Sequence, residues 1–254
     1  MTKEIIKRGW DISAEGFDQI VSEDYKPQNR KLWLELLLSA APQKENMHIL
    51  DAGTGPGFFA VILSMAGHQV TGIDISEPML KEAKKNADYF HVAPNFFKMD
   101  SQMPDFPESS FDFIISRNVV WTMDEPEKAY RNWFRLLSPG GKVVVIDGDH
   151  LRDLRDPEFR RSQDRLLEKY IEVFGSRPQV SYTDFETARG WRKDLPLVSC
   201  PRPQWDREVL SSLGYQNIRV RDISDIAYRT PQLKLLYQDS PLFMIQGERP
   251  GIQI

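Results

Sequence analysis

The chain has 254 residues, of which 41% are hydrophobic and 11% aromatic. This is enough apolar material to bury the core of one large domain. Its 33 Lys and Arg nearly balance 37 Asp and Glu, giving a formal net charge of −4, and neither sign forms a long run. The balance argues against a general nucleic-acid or anionic-membrane binder, because both depend on a basic face. The single cysteine, Cys200, excludes an internal disulfide and a thiolate metal cluster.

The N-terminal segment MTKEIIKRGWDISAEGFDQI is polar and charged. No later stretch approaches the roughly 18 consecutive apolar residues of a membrane span. We therefore expect a soluble, cytoplasmic protein that binds neither a membrane nor nucleic acid and holds no metal.

Strand-length apolar runs alternate with helical patterns from Met47 onward, which is typical of βαβ units and a parallel sheet. Five strands are predicted in the segments MHILDAG, HQVTGID, NFFKMD, FDFIISR and KVVVIDGD. The helices between them include FFAVILSMAG, one capped by Ser76 and one that begins at Pro126.

The alternation ends after His150. A helix is then predicted whose apolar residues share one face: Phe159, Leu166, Leu167, Tyr170, Ile171 and Phe174. A loop rich in rings and charges follows it, and RPQWDREVLSSLGY resumes as a helix. The segments QNIRVRDIS and PLFMIQGER are interpreted as two final strands, a hairpin joined by a long connection.

The segment LDAGTGPGFF contains three glycines, Gly53, Gly55 and Gly57, between a strand and a helix. In this context glycines let the backbone approach a ligand, so a nucleotide-like ligand is indicated. The spacing is G-x-G-x-G rather than the G-x-G-x-x-G of dinucleotide sites, and Asp51 precedes it. An acid here disfavours a pyrophosphate and favours a ligand that carries an ammonium and a sulfonium.

A second acid, Asp74, ends the next predicted strand 21 residues after Gly53. This is the distance at which a carboxylate accepts both ribose hydroxyls of a nucleoside. Asp74 therefore predicts an unphosphorylated ribose.

These motifs resemble those of the class I S-adenosylmethionine-dependent methyltransferases, in particular a small-molecule branch similar to the quinone-biosynthesis methyltransferases. The resemblance covers residues 30–150. It rests on four segments: LDAGTGPG, TGIDISEPML, MDSQMPDFPESSFDFIISRNVVWTM and FRLLSPGGKVVVID.

The resemblance implies a Rossmann-like three-layer α/β sandwich around a seven-stranded, mostly parallel sheet of order 3-2-1-4-5-7-6, with the last strand antiparallel. It implies a single domain over residues 1–254. Within it we expect N-terminal lid helices at 1–29, a cofactor-binding half at 30–150, a substrate-side insertion at 151–200, and a C-terminal helix and strand hairpin at 201–254.

The same resemblance implies S-adenosyl-L-methionine as cofactor and S-adenosyl-L-homocysteine as product. The implied cofactor contacts are Asp51, Gly53 and Gly55 around the methionine part, Asp74 on the ribose, Ile75 and Met79 on the adenine, Asp100 and Ser101 at its amino group, and Arg117, Asn118 and Val119 beneath the sulfonium. Gly57 either contacts the ligand or serves only helix packing.

The acceptor is expected between the cofactor and the variable segments. The candidate acceptor-binding residues are Trp10 and Tyr25 of the lid, Trp121 after the fourth strand, and Tyr182 and Arg192 of the insertion. The charged residues of the insertion either recognise a carboxylate on the acceptor or form a solvated loop. His150, at the carboxyl edge of the sheet, is either a catalytic base or a structural histidine.

We therefore predict an enzyme that transfers a methyl group to a small-molecule acceptor by in-line displacement. Alternatives are a non-catalytic S-adenosylmethionine-binding or regulatory protein, a macromolecule methyltransferase and an NAD-dependent oxidoreductase. The acceptor atom (C, N, O or S) and the oligomeric state, monomer or homodimer, stay open.

Overall fold

The computed structural model describes residues 2–178 and 191–251, apart from the side chains of 2–3, 13 and 15–20. The strands are β1 His48–Ala52, β2 Gln69–Asp74, β3 Asn95–Lys98, β4 Phe111–Arg117, β5 Leu137–Gly148, β6 Gln216–Asp222 and β7 Leu242–Glu248. The helices are α1 Thr2–Ser22, α2 Pro27–Ala40, α3 Phe58–Met65, α4 Glu77–Tyr89, α5 Pro126–Leu136, α6 Arg152–Arg155, α7 Pro157–Phe174, α8 Gln204–Ser212, α9 Ser224–Ala227 and α10 Pro231–Leu236.

The seven strands form one sheet of order β3-β2-β1-β4-β5-β7-β6. Strands β1 to β5 pair in parallel, whereas β7 lies antiparallel between β5 and β6. The implied order and the antiparallel last strand are therefore confirmed, as is the final hairpin. Its long connection holds the short helices α9 and α10. Sequence analysis did not identify α2, which begins at Pro27 in the first helical turn.

The core has two halves, one on each face of the sheet. Along β5, Val143 and Val145 pack into one half, while Val144 and Ile146 pack into the other. The first half includes the buried face of α5, and the second includes α2 and α3. Because successive strand residues point to opposite faces, these apolar runs require helices on both sides of the sheet, which gives the three layers.

Parallel strands end at one edge of the sheet, so the turns after β1, β2, β4 and β5 meet there. Buried carboxylates mark three of these ends: Asp51 on β1, Asp74 on β2 and Asp147 on β5. No helix among the residues described has the length and apolar character needed to cross a membrane.

The segment after the insertion is fastened to the sheet by a buried ion network. The Arg202 guanidinium donates to Asp147 at 2.6 Å and to Asp206 of α8 at 2.6 and 2.9 Å. The hydroxyl of Tyr130 on α5 also donates to Asp206, at 2.5 Å. All three charged side chains are at most 2% exposed. Arg202 therefore neutralises two buried carboxylates at once and joins β5 to α8.

We predict that Arg202→Leu lowers the free energy of unfolding by about 3–5 kcal/mol, because it leaves two carboxylates buried without their cation. Urea titration of the purified variant measures this loss. The matched control is Arg207→Leu on the exposed face of α8, for which a change within about 0.5 kcal/mol is expected. Equal effects of the two substitutions would contradict the stabilising role of the network.

Candidate functional site

The turn after β1 brings its backbone close to the segment that follows β4. Gly53 has a φ of +80°, and a Cβ added to it would lie 2.4 Å from Cγ2 of Val119. The Gly53 and Thr54 amides both donate to the Ile73 carbonyl at 2.9 Å, which fixes the turn against β2. Only glycine permits this conformation together with this close approach.

Asp74 fastens the same turn from the end of β2. Its Oδ2 accepts a hydrogen bond from the Gly55 amide at 2.9 Å, and its Oδ1 accepts from the Ser76 amide at 2.8 Å. The residue is 9% exposed. Burial raises the pKa of this carboxyl to about 6, although the backbone donors oppose the rise. The Asp74 carboxylate can therefore accept further hydrogen bonds at the edge of the sheet.

Asp51 and Gly57 lie beneath the turn and do not line the cavity above it. Asp51 Oδ2 accepts hydrogen bonds from the Thr54 hydroxyl at 2.7 Å and the Ala60 amide at 3.2 Å, and burial raises the pKa of its carboxyl to about 7. A Cβ on Gly57 would lie 2.9 Å from Cβ of Ala83 on α4. The structure thus gives Gly57 a packing role between α3 and α4, and Asp51 a role in shaping the turn.

A third wall comes from the segment after β3. The Ser101 carbonyl accepts a hydrogen bond from Nε1 of Trp133 on α5 at 2.9 Å. The Gln102 side-chain oxygen accepts from the Glu125 amide at 2.7 Å. These bonds hold the Asp100–Gln102 segment against α5, so its position follows from the packing of α5 on the sheet.

The segment after β4 forms the floor. Asn118 has a φ of +57°, and its Oδ1 atom is buried without a hydrogen-bond partner among the described residues. The neighbouring Arg117 donates to Asp24 at 2.9 Å, and its guanidinium lies 4.5 Å from the Trp33 ring centroid. Since an unsatisfied buried acceptor is costly, the Asn118 oxygen indicates a ligand that brings a donor.

These walls enclose a narrow cavity of about 90 Å³, which we call the cofactor cavity. Ten of the twelve predicted cofactor residues line it: Gly53, Gly55, Asp74, Ile75, Met79, Asp100, Ser101, Arg117, Asn118 and Val119. Helix α1 covers it with Ile6 and Trp10, which explains its small volume compared with the 300–1,000 Å³ of typical ligand pockets. A large ligand requires α1 to move outward.

Sequence analysis missed five further lining residues: Ile6, Gln102, Thr122, Met123 and Asp124. Ile6 lies one helical turn before Trp10 on α1, and this spacing was the available signal. Among the described residues, three lining carboxylates (Asp74, Asp100 and Asp124) face one guanidinium, that of Arg117. Asp24 already pairs with this guanidinium. The cavity is therefore complementary to a ligand that carries positive charge and hydrogen-bond donors.

The predicted acceptor residues are scattered. Trp10 lines the cofactor cavity. Tyr25 packs instead against Phe58 and Phe90, with ring centroids 5.0 and 4.9 Å away. Its ring is therefore in contact with α3 and the end of α4. Tyr182 lies outside the described residues.

Two other candidates lie near a second, larger cavity beside β5. Trp121 is buried, and its ring centroid lies 5.1 Å from that of His150 and 6.1 Å from that of Trp191. Arg192 lines the second cavity, but its guanidinium donates to Asp153 at 2.6 Å and to the His150 carbonyl. Its charge is therefore already neutralised by a residue that lies far from it in the sequence.

His150 also lines the second cavity. Its Nε2 atom lies 3.2 Å from Oδ1 of Asp147. Burial alone would raise the pKa of Asp147, but the Arg202 guanidinium and the His150 imidazole together outweigh burial and hold the pKa below its usual value. Asp147 is therefore ionised and lies beside the imidazole, whose Nε2 atom also accepts a hydrogen bond from the Gly148 amide at 3.3 Å.

The acceptor atoms that line the cofactor cavity suit the nucleoside and the sulfonium expected from the sequence. Asp74 can accept hydroxyl donors, and the excess of carboxylates attracts a cationic group. The unpartnered Asn118 oxygen can accept a hydrogen bond from an amino or hydroxyl group.

Comparison with known proteins finds similarity to methyltransferases. Residues 50–145 match a family model described as a methyltransferase domain. The malonyl-(acyl-carrier protein) O-methyltransferase of Erwinia billingiae is 29% identical over 156 residues, which cover 61% of this chain and 58% of that protein. The demethylmenaquinone methyltransferase of Thermus thermophilus is 32% identical over 120 residues, 46% of this chain and 53% of that protein. The chain thus spans a little over half the length of these two relatives.

Among solved structures, that of the cyclase SpnF matches with a TM-score of 0.60 at 16% identity, covering 88% of this chain and 81% of that one. At this identity the likeness shows the fold alone. Because fold alone does not determine the reaction, the activity must be argued from the site.

The family match and the two relatives agree. Residues 50–145 of this chain match the model of a methyltransferase domain, and both relatives are named as methyltransferases.

Proposed function

We propose that the protein transfers a methyl group from S-adenosylmethionine to a small-molecule acceptor. The observation that carries this proposal is the cofactor cavity, in which ten of the residues expected from the sequence motifs and the family resemblance line one space. Enclosed space beside the sheet edge suits a small acceptor better than a macromolecule, and the balanced charge of the chain supports this.

Each wall of the cavity then has a role toward the cofactor. Asp74 accepts the ribose hydroxyls, Ile75 and Met79 pack on the adenine, and Asp100 and Ser101 meet its amino group. The glycine turn lies along the methionine part, while the Asn118 oxygen accepts a hydrogen bond from a donor of the cofactor. Support comes from the acceptor-rich lining and from the missing partner of Asn118.

S-adenosylmethionine, when bound, supplies a methyl group that its sulfonium already activates. The contribution of the chain is therefore alignment of the acceptor with the methyl group and the sulfur, which can supply about 7–11 kcal/mol in favourable cases. Ile6 and Trp10 of α1 cover the cavity, so this helix, once displaced outward to admit the cofactor, would shield the bound cofactor from water.

His150 is the candidate base where the acceptor carries a proton. A neutral imidazole can take up a proton from an acceptor within hydrogen-bond reach. Asp147, held anionic by Arg202, would stabilise the imidazolium that results. This role rests on the position of His150 between Trp121 and the second cavity.

We predict that Asp74→Ala weakens binding of S-adenosylhomocysteine by at least about tenfold, because it removes a charged acceptor of two hydroxyl donors. Isothermal titration calorimetry measures the affinity. Asp112→Ala is the matched control, because Asp112 also accepts a backbone amide hydrogen bond, from His48 at 2.9 Å, but lies at the opposite edge of the sheet. Unchanged affinity in Asp74→Ala would contradict the ribose assignment.

The same titration has a predicted pH dependence. Ribose hydroxyls stabilise the ionised form of Asp74, so binding should release a proton where the free carboxyl, with a pKa of about 6, is protonated. The affinity of the unmodified protein should therefore fall about fourfold from pH 7.5 to 5.5. Asp74→Asn should flatten this dependence. A pH profile shared by the unmodified protein and Asp74→Asn would show that another group is responsible.

We predict turnover in a direct assay of the activity. Incubation with methyl-labelled S-adenosylmethionine and a metabolite extract should yield a labelled small molecule. Label in macromolecules would contradict the small acceptor. Tight cofactor binding without any transfer would instead favour a non-catalytic, cofactor-binding protein.

A further inference from the structure

The second cavity has a volume of about 790 Å³, within the range that holds small organic ligands. It lies between the end of β5, the α6–α7 segment and the β6–β7 connection. Its place at the carboxyl edge of the sheet puts it beside the cofactor cavity, although the two cavities share no lining residue among those described.

Two contacts join the cavities. In the turn Val120–Thr122, Thr122 lines the cofactor cavity, while Trp121 packs on His150 of the second cavity. On the other side, Asp24 accepts hydrogen bonds from Arg117 at 2.9 Å and from Arg229 at 2.6 Å. Arg117 lines the first cavity, and Arg229 follows a residue that lines the second. The two cavities are therefore linked through these side chains.

The cations deep in this cavity are already neutralised. Arg202, 2% exposed, is paired with Asp147 and Asp206. Arg192, 13% exposed, is paired with Asp153 at 2.6 Å. These pairs leave little net positive charge for a carboxylate or phosphate of a ligand.

The rim of the cavity is acidic. Four exposed charged residues of the lining have no ion-pair partner among the described residues. Three of them are acids, Asp164, Asp222 and Asp239, and the fourth is Arg160. An anionic ligand would be repelled there, because these carboxylates, unlike those paired with the deep arginines, are not neutralised by a cation.

The walls offer a flat apolar surface with few polar groups. Tyr228 and Tyr237 are stacked, with ring centroids 4.6 Å apart at 14°, and Phe243 also lines the cavity. Burial raises the pKa of the Tyr228 phenol, which is therefore neutral. Such a surface favours stacking by a flat ring.

One buried donor in this wall lacks a partner. Nε2 of Gln163 on α7 is buried without a hydrogen bond among the residues described, although Gln163 lines the cavity. A donor in this state requires an acceptor atom, and an uncharged oxygen of a ligand supplies one. His150 offers a second polar contact in the same cavity.

We propose that the second cavity is the acceptor site and takes an uncharged, flat, oxygen-bearing molecule, with Gln163 as a specificity-determining residue. The assignment as acceptor site rests on the proposed methyltransferase function. The ring stacks on the Tyr228–Tyr237 pair, and the oxygen accepts the hydrogen bond from Gln163. Of the two alternatives for the insertion, the proposal does not use recognition of a carboxylate by Arg192, because Arg192 is paired with Asp153.

The test compares two probes that share one ring system, 2-naphthol and 2-naphthoate, by ligand-observed NMR titration of the full chain at pH 7.5. We expect the uncharged probe to bind at least tenfold more tightly than the anion. Gln163→Leu should weaken naphthol binding about fivefold, which is the loss of one neutral hydrogen bond. Gln204→Leu, an exposed amide that bonds Glu208, is the matched control and should change nothing.

Equal or tighter binding of 2-naphthoate would overturn the proposal, as would absent naphthol binding or an unchanged affinity in Gln163→Leu. Calorimetry with S-adenosylhomocysteine on the same preparations distinguishes failure of the proposed function from failure of the proposed acceptor class. Loss of cofactor binding would contradict the proposed function, whereas normal cofactor binding with failed probe discrimination would contradict only the acceptor class.

Discussion

Three aspartates end strands at the carboxyl edge of the sheet, and the burial of their carboxylates constrains every loop around the site. A buried carboxylate is costly unless hydrogen bonds or a cation compensate it. Asp51 and Asp74 are compensated by backbone amides and a hydroxyl. Asp147 accepts hydrogen bonds from the Trp121 and Gly148 amides and is paired with Arg202. The loops after β1, β2 and β4 are thus each hydrogen-bonded to the end of a strand, either the preceding strand or a neighbouring one.

The difference between these carboxylates explains where a ligand belongs. Arg202 lowers the pKa of Asp147, so this carboxylate is satisfied within the protein. Burial raises the pKa of Asp51 and Asp74 to about 7 and about 6, because no cation is bonded to either one. Asp74 lines the cofactor cavity, and its surroundings favour a ligand with positive charge and hydroxyl donors. The cofactor cavity therefore forms above β1 and β2, and the ion network above β5 holds the structure together.

Much of the fold was predictable from local patterns. The strands were visible as apolar runs, and Ser76 was recognisable as a helix cap, whose Oγ accepts the Met79 amide at 3.3 Å. The sequence motifs together with the family resemblance named most of the cofactor cavity, because those contacts come from residues next to the strand ends. The order of the sheet came from the family resemblance.

Contacts between distant segments could not be predicted from the sequence. Tyr25, a predicted acceptor residue, packs against Phe58 and Phe90. Arg192, another predicted acceptor residue, pairs with Asp153, which lies 39 positions earlier. Such pairings depend on how α1 and the insertion pack on the sheet, and no local pattern specifies that packing.

The most direct measurement is a crystal structure of the protein with S-adenosylhomocysteine. We expect both ribose hydroxyls within hydrogen-bond distance of Asp74, a donor of the ligand on Asn118 Oδ1, and α1 displaced outward from the position in which Ile6 and Trp10 narrow the cavity. A ligand bound elsewhere, or in this cavity with its ribose away from Asp74, would contradict the account.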